Sequence, residues 1–412
     1  MQTAQTPYFY RDKVVTMPNS MTTLLQDNSI QIEPNDPNLF PLIEKTLNEE
    51  RLSAEDGMLL YETPDLWTVC SLADHVRRQL HGNKAFYNIN RHINYSNICA
   101  LSCKFCDFYR KKDQDGAYEY TIEDIQKETK NAMESGATEI HMVGGLHPWL
   151  PFSYYTEILA AIKEIAPNIH IKAFTAVEIV HLARISKRGG DGIKGISSVI
   201  QDLKDHGLGS LPGGGAEVFD DRVHDEAFRG KIRGQQWMDV HSAAHALGLH
   251  SNATMLYGHI ESRQERIKHM TLLREEQDRA EQDETQGNFQ AIIPLPFIPG
   301  VSELAHLPGP SGLENIRTIA IARLMLDNIP HVKAFWIMQT LHMAQHMLQC
   351  GADDIDGTVV WYDITKVSTS TTHQECSVAD LCRAIVDAGF EPVERDTLYR
   401  SVFRDGARWW TH

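Results

Sequence analysis

The feature that most constrains the fold is an alternation that begins after Gly82, where short apolar runs are each followed by a helix-length amphipathic stretch. Eight of these runs are strand candidates: 89–95, 139–143, 170–174, 207–211, 251–256, 290–295, 332–338 and 357–360. The helices predicted between them include 121–135, 152–165, 193–205, 236–247, 263–280, 313–327 and 341–349. Strands that alternate with helices favour a parallel sheet covered by helices. The sequence therefore predicts an α/β fold, an eight-stranded (β/α) barrel.

Four regions are predicted along the chain. Residues 1–38 are polar and lack sustained periodicity, which is typical of a loosely ordered extension. Residues 39–84 carry helical patterns, one of which Asp65 could cap, and predict a helical N-terminal region. The barrel is expected over 85–365, with a C-terminal extension over 366–412 that packs on it.

Composition excludes some classes of function. Lys and Arg number 39 against 55 Asp and Glu, a formal charge of −16, and nucleic-acid binding requires a basic face instead. The sequence contains no run of about 18 apolar residues, so no membrane span is predicted. The first residues lack the basic and apolar regions of a secretory signal, so a cytoplasmic protein is expected.

Three of the seven cysteines crowd together at Cys99, Cys103 and Cys106. Thiolates are soft ligands that favour iron–sulfur, zinc or copper(I) sites. Structural zinc and ferredoxin-type clusters both require four ligands, and no second Cys-x-x-Cys pair is present. Three cysteines alone fit a cubane cluster with one iron left open for a small molecule. Zinc completed by one of the 20 histidines, or thiols without metal, are the alternatives.

Other candidate site residues follow the predicted strands, where a barrel carries its chemistry. Gly144 and Gly145 come after the second strand, Glu178 after the third, the glycine run 213–215 after the fourth, and 257–259 after the fifth. Glu178 is a candidate for binding a ribose or assisting proton transfer. The alternative for Glu178 is a helix N-terminal acid stabilised by the helix dipole.

The spacing Cys-x3-Cys-x2-Cys, with Phe105 just before the last cysteine, resembles the radical S-adenosylmethionine (SAM) superfamily. The resemblance implies a [4Fe–4S] cluster held by the three cysteines inside a (β/α) barrel, with its open iron chelating SAM. It also implies that Phe105 lies near the adenine and that the backbone at Gly144 and Gly145 holds the amino group of SAM.

Longer strings resemble the aminofutalosine synthase family and together span residues 42–405: 91–95, 143–148, 171–179, 208–217, 251–259, 322–328 and 392–396. This resemblance implies an enzyme of the futalosine route to menaquinone. Its reaction joins SAM to 3-[(1-carboxyvinyl)oxy]benzoate, an enolpyruvyl benzoate ether, and yields 6-amino-6-deoxyfutalosine, methionine and bicarbonate. An external one-electron donor such as flavodoxin or ferredoxin is implied as well.

The sequence departs from the family pattern at 299–302 and 361–369, which leaves the substrate contacts open. Sibling enzymes that abstract hydrogen are therefore an alternative, namely dehypoxanthine futalosine cyclase or the tyrosine-using FO synthase component. A non-catalytic metal-binding or electron-transfer protein is the alternative from another class.

Three further patterns are less informative. The two carboxylates of the expected substrate require donors, but the sequence does not single out an arginine. His241 and His245 have the spacing of a zinc-protease pair without its glutamate, which favours packing or a helix surface. The mixed charges at 274–279 predict a solvated helix face.

Overall fold

The structure is a computed structural model, which describes residues 32–300, 302–359, 375–406 and 408–411. Most of the extension predicted over 1–38 lies outside these ranges, as do residue 301 and the departure over 361–369. None of the helices in the described ranges combines the length and the apolar character that crossing a bilayer requires.

Twelve strands are found in the described ranges: β1 Lys84–Asn88, β2 Asn90–Ile93, β3 Glu139–Met142, β4 His170–Ala173, β5 Ser210–Leu211, β6 His250–Tyr257, β7 Phe289–Pro296, β8 His331–Val332, β9 Asp354–Gly357, β10 Glu391–Glu394, β11 Val402–Asp405 and β12 Arg408–Thr411. The α-helices there are α1 Phe40–Leu47, α2 Ala54–Glu62, α3 Leu66–His81, α4 Ile122–Glu134, α5 Phe152–Ile165, α6 Ala176–Ile185, α7 Ile193–Asp205, α8 Asp221–Ala227, α9 Gly234–Ala246, α10 Arg263–Gln282, α11 Gly312–Met325, α12 Trp336–Gln339, α13 Leu341–Leu348 and α14 Val378–Asp387.

Seven strands form one curved parallel sheet in the order β2-β3-β4-β5-β6-β7-β8, so neighbours along the chain are neighbours in the sheet. Every connection between these strands contains at least one helix. Parallel neighbours need such crossovers, because the chain must return to the same end of the sheet before the next strand begins. The predicted (β/α) fold class is confirmed.

The eighth strand candidate, 357–360, joins a different sheet. It overlaps β9, which pairs with β1 in a three-stranded parallel sheet of order β10-β1-β9. One residue separates β1 from β2, and a single bridge joins Lys333, just after β8, to Asp354 on β9. The second sheet therefore connects both edge strands of the large sheet.

Side chains cap the starts of two helices that matter here, and the first of these caps was predicted. The side chain of Asp65 accepts a hydrogen bond from the backbone N–H of Thr68 at 3.3 Å and caps α3. At the start of α6, Thr175 and Glu178 cap each other reciprocally, which satisfies two backbone N–H groups that a helix start leaves without partners. This second cap fixes the carboxylate of Glu178 at the carboxyl end of β4.

The prediction of a solvated face at 274–279 is right for Glu275 and Arg279, which are exposed, and wrong for the buried part of the run. Arg274 and Gln277 are buried on α10, and Arg274 donates to the backbone carbonyls of Leu52 and Met325 at 2.8 and 3.0 Å. Helices α2 and α11 pack against α10, and the carbonyls that Arg274 reaches lie just before α2 and at the end of α11. A charge run therefore does not identify a solvent-facing surface when another segment of the chain covers it.

The packing role predicted for His241 and His245 is confirmed. Both imidazoles are at most 1% exposed, and each lies 2.8 Å from the hydroxyl oxygen of Ser251 on β6. Burial lowers the pKa of both rings and keeps them neutral.

The buried ion pair of Arg395 and Asp354 provides a test of the second sheet. Arg395 Nε lies 2.7 Å from Asp354 Oδ2, and both side chains are at most 1% exposed. We expect Arg395→Met to lower the free energy of unfolding by about 3–5 kcal/mol, because a buried carboxylate would lose its cation. Urea denaturation measures the change.

Arg383→Met is the matched control, because Arg383 lies 3.5 Å from Asp380 in an exposed ion pair of the same C-terminal region. The control should unfold at nearly the urea concentration of the unchanged protein. A shift of similar size in both variants would show that burial of the Arg395 pair is not what stabilises this sheet.

Candidate active site

One cavity lies at the carboxyl ends of the strands, lined by the segments that follow β2, β3, β4 and β5. All site residues predicted from the sequence line this cavity: Cys99, Cys103, Phe105, Cys106, Gly144, Gly145 and Glu178. The glycine run 213–215 lines it too. The segment 257–259 does not line the cavity. Its backbone N–H groups at Gly258 and His259 donate instead to the carboxylate of Glu261.

The cysteine loop, residues 97–108, follows β2 and carries the three thiols. Cys99 Sγ accepts two backbone N–H groups, those of Leu101 and Leu146, both at 3.4 Å. Burial raises the pKa of Cys103 to about 11 and also raises that of Cys106, while the Lys231 ammonium opposes both shifts. Bound iron would stabilise the thiolates that burial disfavours.

The arrangement of the thiols fits a cluster better than a single ion. A single metal ion requires ligand atoms within about 4–5 Å of one another, given metal–sulfur bonds of about 2.3 Å. In the described ranges, one group of three or more His, Cys, Asp or Glu side chains has its ligand atoms within 4.8 Å of one another. That group is His81, His331 and Asp353, and it contains no cysteine. Among the described residues of the cavity wall there is no fourth cysteine. The donor set therefore fits a [4Fe–4S] cluster with three protein ligands.

The glycine segment, residues 143–146, follows β3 and touches the cysteine loop. A Cβ atom on Gly145 would lie 2.4 Å from the carbonyl oxygen of Ile98, and one on Gly144 would lie 2.5 Å from the ring of Tyr95. The N–H of Gly145 donates to the carbonyl of Ser96 at 2.8 Å. Only glycine permits this approach of two backbones, so the segment can reach a ligand held beside the cysteines.

Glu178 connects three loops of the site. Its Oε1 accepts from the hydroxyl of Tyr95 at 2.7 Å and from the N–H of Gly144 at 3.0 Å, while Oε2 accepts from the N–H and hydroxyl of Thr175. Burial raises the pKa of Glu178, and these hydrogen bonds oppose the shift. The carboxylate is thus saturated by the protein and positions the glycine segment. Its predicted contact with SAM and its role in proton transfer stay predictions.

Phe105, just before Cys106 in the chain, packs against the ion pair of Lys231 and Glu217. The ammonium of Lys231 is 5.1 Å from the centre of the Phe105 ring and pairs with the carboxylate of Glu217. Burial disfavours the charged amine, but Glu217 and Cys103 raise the pKa of Lys231 above its usual value. The sequence alone did not indicate Lys231, since nothing around it forms a pattern.

The sequence also missed the deep wall of the cavity, which includes His92, His141, Lys172 and Lys333. A weak signal was available, because each lies in or beside a predicted strand at a position that the structure buries or half-buries, but the same strands carry other polar residues, such as Arg91 and Glu139. No arginine lines the cavity among the described residues, so its cations there are lysines.

Comparisons with known proteins agree with this geometry. The model of the family described as "Radical SAM superfamily" matches residues 93–273, and that described as "CofH/MqnC C-terminal region" matches 286–406. The solved structure of methylornithine synthase has a TM-score of 0.66 at 16% identity, covering 85% of this chain and 97% of that one. At this identity the likeness concerns the fold alone.

Three cysteines facing the carboxyl ends of a parallel sheet, with a glycine segment against them, define a radical SAM enzyme. The aminodeoxyfutalosine synthase of Thermus thermophilus is 41% identical over 371 residues, covering 89% of this chain and 96% of that relative. A 4-hydroxyphenyl transferase of Archaeoglobus fulgidus that acts on 5-amino-6-(D-ribitylamino)uracil and L-tyrosine is 36% identical over 330 residues, covering 80% and 92%. The chain belongs to the radical SAM superfamily, in the family of these relatives.

The contact between the glycine segment and the cysteine loop can be tested with Gly145→Ala. A methyl group 2.4 Å from a backbone carbonyl cannot be accommodated without moving one of the two segments. We expect SAM to bind the reconstituted protein about 10- to 100-fold more weakly, as measured by anaerobic equilibrium dialysis.

Gly190→Ala is the matched control, because a Cβ atom there meets nothing within 4 Å. It should bind SAM as the unchanged protein does. Equal SAM affinity in the two alanine variants would show that the close approach at Gly145 is not needed for the ligand.

Proposed function

We propose that this radical SAM enzyme joins SAM to 3-[(1-carboxyvinyl)oxy]benzoate and forms 6-amino-6-deoxyfutalosine, methionine and bicarbonate in the futalosine route to menaquinone. The observation that carries the proposal is the similarity to relatives named aminodeoxyfutalosine synthase in Thermus thermophilus and Streptomyces coelicolor. They are 41% and 40% identical and cover 89% and 87% of this chain.

The roles of the site residues follow from this proposal. Cys99, Cys103 and Cys106 would hold the cluster, which when bound supplies the electron that opens the sulfonium C–S bond of SAM. Phe105 would lie beside the adenine. Because the N–H groups of Gly144 and Gly145 are used within the protein, the carbonyls of the glycine segment would accept from the amino group of SAM.

The rest of the cavity suits an aromatic acid. Its walls include Leu256, Ile293, Leu295 and Phe335, which would pack against the benzoate ring and exclude water from reactive species. An external one-electron donor such as flavodoxin or ferredoxin would reduce the cluster. Free thiols and an iron–sulfur cluster are typical of a reducing compartment, which supports the cytoplasm as the location.

A second candidate is a sibling reaction in which hydrogen is abstracted from another substrate. The observation that favours it is the 36% identity to the 4-hydroxyphenyl transferase, which covers nearly as much of the chain. The two candidates differ in the fate of the adenosyl group. It becomes part of the product in the first and is released as 5′-deoxyadenosine in the second.

The test is an anaerobic assay of the reconstituted protein with SAM, dithionite and the enolpyruvyl benzoate ether, read by mass spectrometry. We expect 6-amino-6-deoxyfutalosine, and we expect none from Cys103→Ala, because one ligand of the cluster is lost. Cys382→Ala is the matched control, since Cys382 is a half-buried cysteine outside the cavity. It should retain the product.

Two results would contradict the proposal. Free 5′-deoxyadenosine without an adenosyl adduct would assign the chain to the hydrogen-abstracting siblings. Absence of both products from protein with a full cluster that binds no SAM would support the non-catalytic alternative.

A further inference from the structure

A layer of polar side chains lines the deep part of the cavity. His92 on β2, His141 on β3 and Lys172 on β4 are partners in register, so they extend from the same face of three adjacent strands. Lys333, which follows β8, and Asp356 on β9 line the cavity as well. Because these side chains come from matched positions on adjacent strands, they form one continuous polar surface on the cavity side of the sheet.

This layer lies at the end of the cavity opposite the cysteines. Along β6 the residues of the cavity wall change from Asn252 and Thr254 to Leu256, and after β8 from Lys333 to Phe335. Parallel strands all run the same way, so the polar side chains lie toward their amino ends and the apolar ones toward their carboxyl ends. Apolar wall residues, among them Leu256 and Phe335, thus lie between the polar layer and the cysteine loop.

Both lysines of the layer retain donor capacity. Lys172 is 4% exposed, and its Nζ lies 2.7 Å from Glu139 Oε1, a carboxylate outside the cavity wall. Lys333 is 1% exposed, and its Nζ lies 3.5 Å from Asp356 Oδ2, longer than a direct hydrogen bond. Each ammonium has three donors, and its one ion-pair partner among the described residues does not use them all.

The charges of the layer favour an anion. Burial lowers the pKa of His92 to about 4 and that of His141 well below its usual value, so both rings are neutral. Within the cavity wall the layer presents two ammonium groups and one carboxylate, that of Asp356, while Glu139, the partner of Lys172, lies behind the wall. Burial lowers the pKa of Lys172 and Lys333 adds to the shift, while Glu139 opposes it only in part, so an added anion would further stabilise the charged amine.

We propose that Lys172 and Lys333 form a carboxylate-binding subsite at the deep end of the cavity, which receives the benzoate carboxylate of the substrate. This inference rests on the proposed function, since that function names the ligand. The described wall offers no arginine for the task, and its third lysine, Lys231, lies at the cysteine end of the cavity, against Phe105 and Glu217.

The connectivity of the substrate selects the benzoate carboxylate over the enolpyruvyl one. The vinyl carbon must meet the adenosyl group of SAM, so the carboxylate next to it stays at the cysteine end. The ring carboxylate is the remote, unreactive group. An anchor for such a group provides binding energy that orients the reacting carbon.

The test measures anaerobic binding of two probes to the reconstituted holoenzyme by titration calorimetry: 3-methoxybenzoate and its neutral counterpart 3-methoxybenzamide. We expect the benzoate to bind about 10- to 100-fold more tightly than the benzamide, as charge-assisted hydrogen bonds predict. Lys172→Met and Lys333→Met should each reduce this preference about tenfold or more, with benzamide affinity unchanged. The double variant Lys172→Met with Glu139→Gln avoids leaving a buried carboxylate unpaired.

Lys130→Met, on the exposed face of α4, is the control and should keep the full preference. Benzamide binding shows that each variant retains a folded cavity. A preference that persists in both lysine variants, in a protein that makes 6-amino-6-deoxyfutalosine, would overturn the inference and leave the proposed function intact. A preference that depends on the lysines, in a protein that makes no adenosyl adduct, would support the subsite and overturn the proposed function.

Discussion

The site depends on the buried carboxylate of Glu178, whose four hydrogen bonds come from three separate loops. Tyr95 follows β2, Gly144 follows β3 and Thr175 precedes α6, and none of these groups belongs to the sheet ladder. Ladder hydrogen bonds hold neighbouring strands together but not the loops that follow them. A carboxylate that accepts hydrogen bonds from several of these loops helps to fix their separation. Together with the direct hydrogen bonds from the N–H of Gly145 to the Ser96 carbonyl and from the N–H of Leu146 to Cys99 Sγ, this group fixes the cysteine loop relative to the glycine segment.

The second sheet adjoins both edge strands of the large sheet and contributes Asp356 to the cavity wall. Because β1 leads into β2 and β9 is bridged to the residue after β8, the N- and C-terminal segments meet between the edges of the large sheet. The buried pairs Arg395–Asp354 and Lys172–Glu139 lie on these strands and their neighbours. Buried ion pairs contribute little net stability compared with apolar packing. Of these four residues only Lys172 lines the cavity, so a polar ligand can account for the Lys172–Glu139 pair, whereas the Arg395–Asp354 pair belongs to the second sheet.

Local patterns in the sequence predicted the strands β2 to β8 and the grouping of the three cysteines. Alternating hydrophobicity identifies a strand, and a spacing of four and three residues keeps thiols in one loop wherever that loop lies. Neither pattern identifies the distant segment with which a strand pairs or that a side chain contacts. The run at 357–360 was therefore placed in the wrong sheet, and Arg274 and Gln277 of α10 were assigned to solvent although the structure buries them. Lys172 was missed for the same reason, since its role depends on His141 and Lys333 from distant parts of the chain.

The features that distinguish this chain from related enzymes must lie in residues that the fold brings together from distant parts of the sequence. Relatives at 41% and 36% identity carry names for different reactions, and solved structures at 16% identity share the fold. Residues after the strands hold groups that a whole superfamily needs, because the carboxyl ends of parallel strands always converge. Side chains in or beside the strands, such as His92, Lys172 and Lys333, line the cavity away from the cysteine loop and can change without disturbing that loop. Substrate choice is therefore best sought in the strands themselves and not in the loops that first identify the superfamily.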